Sequence, residues 1–284
     1  MDQRRVDQRR VDQQGIEIAG QLISYLDSPG DREAPAVIFV HGNSSSARTW
    51  LPVLDGGFGR QFRCLALDLP GHGLSGPATD PDSYSLPGYA AVLAGFAEAL
   101  GATDAVVVGW SLGGHIALEA APALPEAAGF VIFGTPPVGS AAQLAEAFLP
   151  NPAMNEAFTA SLSPAQATSL AASFTAPGSD LAASEFVPDI LATDGAARAG
   201  LAASISEGRF ADQVAIAAGL RRPLAVLHGT GEQLVSLDYL RRLTIPALWR
   251  GEVQLVPGAG HALHQEAPEQ FMTLLTDFSS DLDS

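Results

Sequence analysis

Hydrophobic positions along the chain fall into two textures. Residues 36–40 (AVIFV), 62–67, 105–108, 130–133, 224–228 (LAVLH) and 252–256 are apolar runs too short, and mostly too rich in branched residues, for helices. Unbroken apolar character, as opposed to alternation, marks strands buried on both faces of a parallel sheet. The intervening stretches space their apolar residues helically, so strand and helix recur in turn. That order predicts an α/β fold: a mostly parallel, doubly wound sheet that binds ligands at the carboxyl ends of its strands. Ahead of the first run, residues 15–27 alternate apolar and polar positions around Gly20, as a hairpin does.

The pattern also divides the chain. Residues 138–217 are rich in Ala and Ser, contain no strand-like run and are interrupted by Pro150, Pro152, Pro164, Pro177 and Pro188. They predict a helical cap of several short helices inserted over the sheet edge. Residues 15–137 and 218–284 then form the α/β core. Residues 1–14, built on a DQRRV repeat with no apolar face to bury, predict a fraying or disordered tail.

Charge and composition narrow the function. Fifteen basic against 31 acidic residues leave a net charge of −16, which repels a phosphate backbone or an anionic membrane, so neither nucleic acid nor membrane is expected as a partner. Every basic residue is arginine; the absence of lysine removes Schiff-base chemistry, Ser/Lys hydrolysis and P-loop phosphate binding. The single cysteine, Cys64, lies in a strand pattern and is expected to be a buried small hydrophobe. With no charged-then-apolar leader, a reducing cytoplasm is the expected location.

Candidate chemistry centres on residues 106–116 (VVVGWSLGGHI), where GxSxG follows a strand and opens a helix. On such a strained turn the Ser111 hydroxyl projects out of the sheet; the plainer alternative is a serine that only caps the helix. A serine nucleophile needs a histidine base, and that base needs an acid to orient it. His41 and His72 belong to turns where a ring can support neighbouring loops, His115 lies one helical turn beyond Ser111, and His228 ends a strand. His261, in the flexible GAGH turn after the last strand, is the expected base. Its neighbour His264 makes an HxxH spacing, but no acid-rich partner set accompanies it and a helix-start histidine is usually solvated, so neither metal nor cofactor is expected. For the acid, Asp238 has a sufficient structural reason in the first turn of a helix, which leaves Glu232 after the LAVLHG strand. The backbone N–H groups of Leu112 and Asn43 are the expected oxyanion donors. Beyond that, the Asn43 side-chain amide either binds substrate or braces its turn. Gly42, Asn43 and Trp110 from the core, with Phe148, Met154 and Phe158 from the cap, are the candidate substrate contacts; ordinary helix packing is the alternative for each cap residue.

With HGN, DLPGHGLS, GWSLGGH and GAGH in this order, the chain resembles the α/β-hydrolase superfamily from about residue 15 to the last helix. At finer grain HGNSSS, DPDSYS followed by GYA, GWSLGGHI, GTPPV and TDGAAR are similar to the N-acyl-homoserine lactonases of that fold. The resemblance implies a Ser111, His261, Glu232 triad, glutamate being the acid of that subfamily. It also implies metal-independent opening of N-acyl-homoserine lactones, the quorum-quenching reaction, on a small-molecule lactone or ester as partner. Most of the cap departs from the pattern. Alternatives are a general carboxylesterase, including one acting on methyl esters of carrier-bound acyl chains, and a lactone receptor on a hydrolase fold. Haloalkane dehalogenases and epoxide hydrolases need an aspartate where Ser111 stands, and a metallo-lactonase needs an HxHxDH cluster the chain lacks.

Overall fold

The computed structural model describes residues 10–282. Its strands are β1 (Asp12–Ile18), β2 (Gln21–Asp27), β3 (Val37–Val40), β4 (Cys64–Leu67), β5 (Val106–Trp110), β6 (Gly129–Phe133), β7 (Leu224–Gly229) and β8 (Gln254–Val256), in one sheet of order β1-β2-β4-β3-β5-β6-β7-β8. The β1–β2 hairpin and the β2–β4 pair are antiparallel and every other pair is parallel. Every residue of β3 to β7 is buried, which is why those segments read as unbroken apolar runs.

Two boundaries differ from the sequence reading. β1 starts at Asp12, so residues 12–14 of the expected tail are paired: Asp12 opposes Asp27, and the Gln13 amide donates to Ser24 Oγ and the Tyr25 carbonyl. Cross-strand hydrogen bonds hold a polar segment that has no apolar face. Residues 1–9, with most of the repeat, lie outside the described residues. At the other edge β8 begins at Gln254, not at residue 252, because a turn at Trp249–Gly251, with Arg250 at φ 58°, delays the strand.

Helices join the parallel strands: α1 (Leu86–Ala99) before β5 and α2 (Leu112–Ala120) after it. Between β6 and β7 lie α3 (Ala141–Ala147), α4 (Pro164–Ala172), α5 (Val187–Ala192), α6 (Gly195–Ser206) and α7 (Gln213–Gly219), with a 3₁₀ segment at Pro152–Phe158 and no strand among the described residues. Several of the interrupting prolines open helices. Pro164 starts α4 behind a Ser163/Gln166 capping box, and Pro152 and Pro188 occupy first-turn positions where no N–H is needed. α8 (Leu237–Arg242) lies between β7 and β8, and α9 (Pro268–Leu282) ends the described chain. No helix among the described residues is long and apolar enough to cross a membrane. Strand order reverses at β3, which has β4 on one side and β5 on the other, so the crevice at the carboxyl ends of β3 and β5 is the topological switch point.

Candidate active site

Ser111 follows the last residue of β5 and sits at φ 53°, ψ −116° with no side-chain cap bond, which removes the helix-capping explanation. Its N–H donates to the Phe133 carbonyl (2.8 Å), and its own carbonyl accepts from Gly114 N, His115 N and Thr135 Oγ1. A conformation costing on the order of 1–3 kcal/mol is thus fixed from both sides. Such a turn needs close approach. A Cβ on Gly113 would lie 2.1 Å from the Val40 carbonyl oxygen, and one on Gly109 would lie 2.3 Å from the Gly113 oxygen. Both positions of the motif therefore require glycine.

The loop after β8 brings His261 to the same crevice. Trp110 Nε1 donates to the His261 carbonyl (2.9 Å), Gly260 N donates to Glu266 Oε2 (2.6 Å), and Phe174 stacks on the imidazole with centroids 5.9 Å apart. His261 Nδ1 meets Glu232 Oε2 at 2.9 Å, with both side chains 2% exposed, while Glu232 Oε1 accepts from Leu234 N at 2.8 Å. Burial alone would raise the Glu232 carboxyl. The opposing pull of His261, through charge and hydrogen bond, and of the Leu234 N–H holds it below its ordinary value. Asp238 lies exposed in the first turn of α8, behind the Ser236 cap, so the carboxylate bonded to His261 is that of Glu232.

Of the remaining histidines, His228 is buried in β7, and its Nδ1 has no hydrogen-bond partner among the described residues. His41 Nε2 accepts from Leu69 N (3.1 Å) and His72 Nε2 from Ser44 N (3.3 Å), so both brace loops; burial lowers them to about 4 and about 3. His264 is not solvated, contrary to expectation. It is fully buried, with Nε2 against Thr49 Oγ1 (2.8 Å) and its ring against Trp50 and Trp110. The aromatic cluster between α9 and the sheet draws it inward, a long-range effect with no local signal. Among the described residues no group of three or more His, Cys, Asp or Glu side chains gathers as a metal site.

Leu112 begins α2, and its N–H is one of the first-turn donors a helix leaves without an internal partner. Asn43 ends the β3 turn beside it, and its side chain braces: Nδ2 donates to the Ala157 carbonyl (2.6 Å) and Oδ1 accepts from Ser44 Oγ (3.2 Å). A cavity of about 470 Å³ opens over Ser111 and His261, and Gly42, Asn43, Trp110, Phe148, Met154 and Phe158 all line it. Sequence reasoning missed Leu86, Leu201, Ile205 and Phe210 in the apolar wall and assigned His115 no part in it. The four-residue spacing of Leu201 and Ile205 within an Ala-rich helix was the available signal; for Leu86 and Phe210 there was none.

The model of the alpha/beta hydrolase family matches residues 37–274. Three solved structures of the N-acyl homoserine lactonase AidH, complexed with N-hexanoyl homoserine, N-hexanoyl homoserine lactone and N-butanoyl homoserine, superpose with TM-scores of 0.90 at 36% identity. In the first, 96% of this chain and 98% of that chain are covered. A putative aryl esterase from Burkholderia cenocepacia shares the fold at TM-score 0.80 and 22% identity, over 95% of this chain and 99% of that one. Among curated proteins, 2-succinyl-6-hydroxy-2,4-cyclohexadiene-1-carboxylate synthase of Salmonella paratyphi B is 38% identical over 116 residues, a match spanning 38% of this chain and 42% of that protein.

Proposed function

The chain belongs to the alpha/beta hydrolase family and is a hydrolase acting on ester bonds; from that premise we propose that it opens the lactone ring of N-acyl-homoserine lactones through a Ser111, His261, Glu232 triad. The observation that carries this reading is the buried 2.9 Å His261–Glu232 pair, whose imidazole lines the same apolar cavity as Ser111. Likeness to a lactonase at 36% identity over 96% of the chain supports the choice of ester. Residues 138–217 act as a cap over a core of 15–137 and 218–284, and the cap supplies the acyl wall.

In this mechanism Ser111 Oγ attacks the ring carbonyl carbon as His261 Nε2 takes its proton, and Glu232 holds the resulting imidazolium. The Leu112 and Asn43 N–H groups stabilise the oxyanion. Collapse breaks the ring C–O bond, and His261 passes the proton to the departing homoserine oxygen, which stays tethered through the acyl group. Water then attacks the acyl-enzyme with His261 again as base, releasing N-acyl-homoserine and regenerating Ser111. The chemistry needs no metal.

Mass spectrometry of N-hexanoyl-homoserine lactone incubated with the protein tests this. A product heavier by one water, formed equally with chelator present, is expected, and Ser111→Ala should reduce its rate by on the order of 10⁴-fold. Release of a fatty acid, hydrolysis confined to p-nitrophenyl esters, or stoichiometric lactone binding without turnover would replace the reading with an acylase, an esterase or a receptor.

A further inference from the structure

Hydrogen bonds to two other segments bracket His261. The N–H before it, on buried Gly260, donates to Glu266 Oε2 (2.6 Å), and the N–H after it, on Ala262, donates to the Phe174 carbonyl (2.7 Å). Glu266 ends the short helix Leu263–Glu266, and its other oxygen, Oε1, accepts from Ala176 N at 2.9 Å. One carboxylate therefore joins the histidine loop to the stretch after α4, whose Phe174 ring lies over the imidazole with the two planes 29° apart. Gly260, Glu266, Ala176, Phe174 and Ala262 close a circuit around the base.

The same stretch is held from the side of the acid. Gln233, next to Glu232, donates through Nε2 to the carbonyls of Ala172 (3.1 Å) and Thr175 (2.7 Å). Packing leaves no slack: a Cβ on Gly260 would lie 2.6 Å from the Thr175 carbonyl carbon, and one on Gly231 would lie 2.6 Å from Ala176 Cβ. Residues 172–176 are thus wedged between the loop that carries Glu232 and the loop that carries His261. Glu266 spends both oxygens on this joint. A carboxylate accepts from both N–H groups, whereas a glutamine amide has one oxygen and would set its NH₂ against the second donor. A buried donor left unmet in this way moves its loop or costs about 1–3 kcal/mol.

Resting on the Ser111, His261, Glu232 triad of the proposed function, we propose that Glu266 is a positioning residue for the base: its carboxylate clamps the His261 loop to the Phe174–Ala176 stretch and so sets the imidazole for proton transfer with Ser111. Gln233 braces that stretch from the opposite side. Neither side chain is part of the triad, and each acts through the backbone next to a triad residue or through the stretch wedged between them.

The test uses wild type, Glu266→Gln and Gln233→Met. Diisopropyl fluorophosphate reads the base without any lactone: the Ser111 Oγ–P bond forms as fluoride leaves and the hydroxyl proton passes to His261. The endpoint counts competent sites, and the rate reports how well the imidazole is placed. Per labelled site, Glu266→Gln should react roughly 10–100-fold more slowly, and kcat for N-hexanoyl-homoserine lactone should fall by the same factor with KM within about twofold. Gln233→Met should act in the same direction more weakly, and it decides if Glu266→Gln does not fold. A role confined to stability would lower the denaturant midpoint and leave both rates per labelled site unchanged. That result, or a change confined to KM, overturns the assignment of Glu266 and leaves the triad standing. Wild-type protein that is not labelled at Ser111 overturns both, whereas labelled protein that leaves lactones intact overturns the choice of ester alone, with the labelling rates still deciding on Glu266.

Discussion

At the scale of single residues, the orientation of His261 is decided at Glu232, where two donors, His261 Nδ1 and Leu234 N, are met by two oxygens of one carboxylate. Glu232→Gln leaves a single oxygen for both, so one buried donor loses its acceptor or the imidazole is held in the wrong tautomer. It also removes the charge that would stabilise the imidazolium. We expect kcat to fall on the order of 10³–10⁴-fold with KM nearly unchanged. Asp238→Asn, at an exposed position capped by Ser236, should stay within about twofold of wild type and cost only a few tenths of a kcal/mol of stability. Steady-state kinetics of the two variants decides between the acids: a large loss in Asp238→Asn with Glu232→Gln intact would reverse the assignment.

At the scale of elements, the turn carrying Asn43 and the helices beyond β6 are joined through Arg198. This α6 side chain, 3% exposed, donates to the carbonyls of Thr159, Ala160 and Ile190 and to Ser44 Oγ (3.3 Å); Ser44, at φ 59°, in turn donates to Asn43 Oδ1. Removing the guanidinium leaves the acceptors at buried Ile190 and Ser44 unmet, so Arg198→Met should lose about 2–3 kcal/mol of stability, read as a lower denaturant midpoint, while Arg198→Lys recovers part of it. Arg198 lies within TDGAAR, yet nothing in that string shows what the arginine touches. The same limit separates what could be read from the chain from what could not. Strands β3 to β7 were legible because burial on both faces leaves an uninterrupted apolar run, and Ser111 because close packing demands glycine on both sides. The choice of His261 rested on a flexible turn after the last strand. The burial of His264, the bracing role of the Asn43 side chain and the wall residues Leu86 and Phe210 depend on contacts between segments far apart in sequence, which no local pattern records.

At the scale of the whole molecule, two effects set opposite responses to acid. A net charge of −16 implies surface repulsion that eases as carboxylates protonate, and this alone would make the protein more stable on mild acidification. Against it stand five histidines lowered first by burial: His41 and His115 to about 4, His72 and His264 to about 3, and His228 below its ordinary value. In the unfolded chain these rings take up protons near 6.5, so between that value and about 4 the unfolded state binds more protons than the folded one. Stability must then fall as pH drops through this window, by on the order of 1 kcal/mol per ring per pH unit. The lowered Glu232 carboxyl acts in the same direction farther down, while Asp68 and Glu119, raised chiefly by burial, act in the opposite one there. Between about pH 6.5 and 5 the histidines outweigh surface repulsion, which salt screens and which is spread over many exposed groups. The melting temperature should therefore fall by roughly 10 °C from about pH 6.5 to about pH 5.5, with little dependence on added salt, and calorimetry in buffers of different ionisation enthalpy should show proton uptake on unfolding. A melting temperature that rises on acidification and loses that rise in salt would mean that surface charge governs, and that these imidazoles are not held neutral in the folded protein.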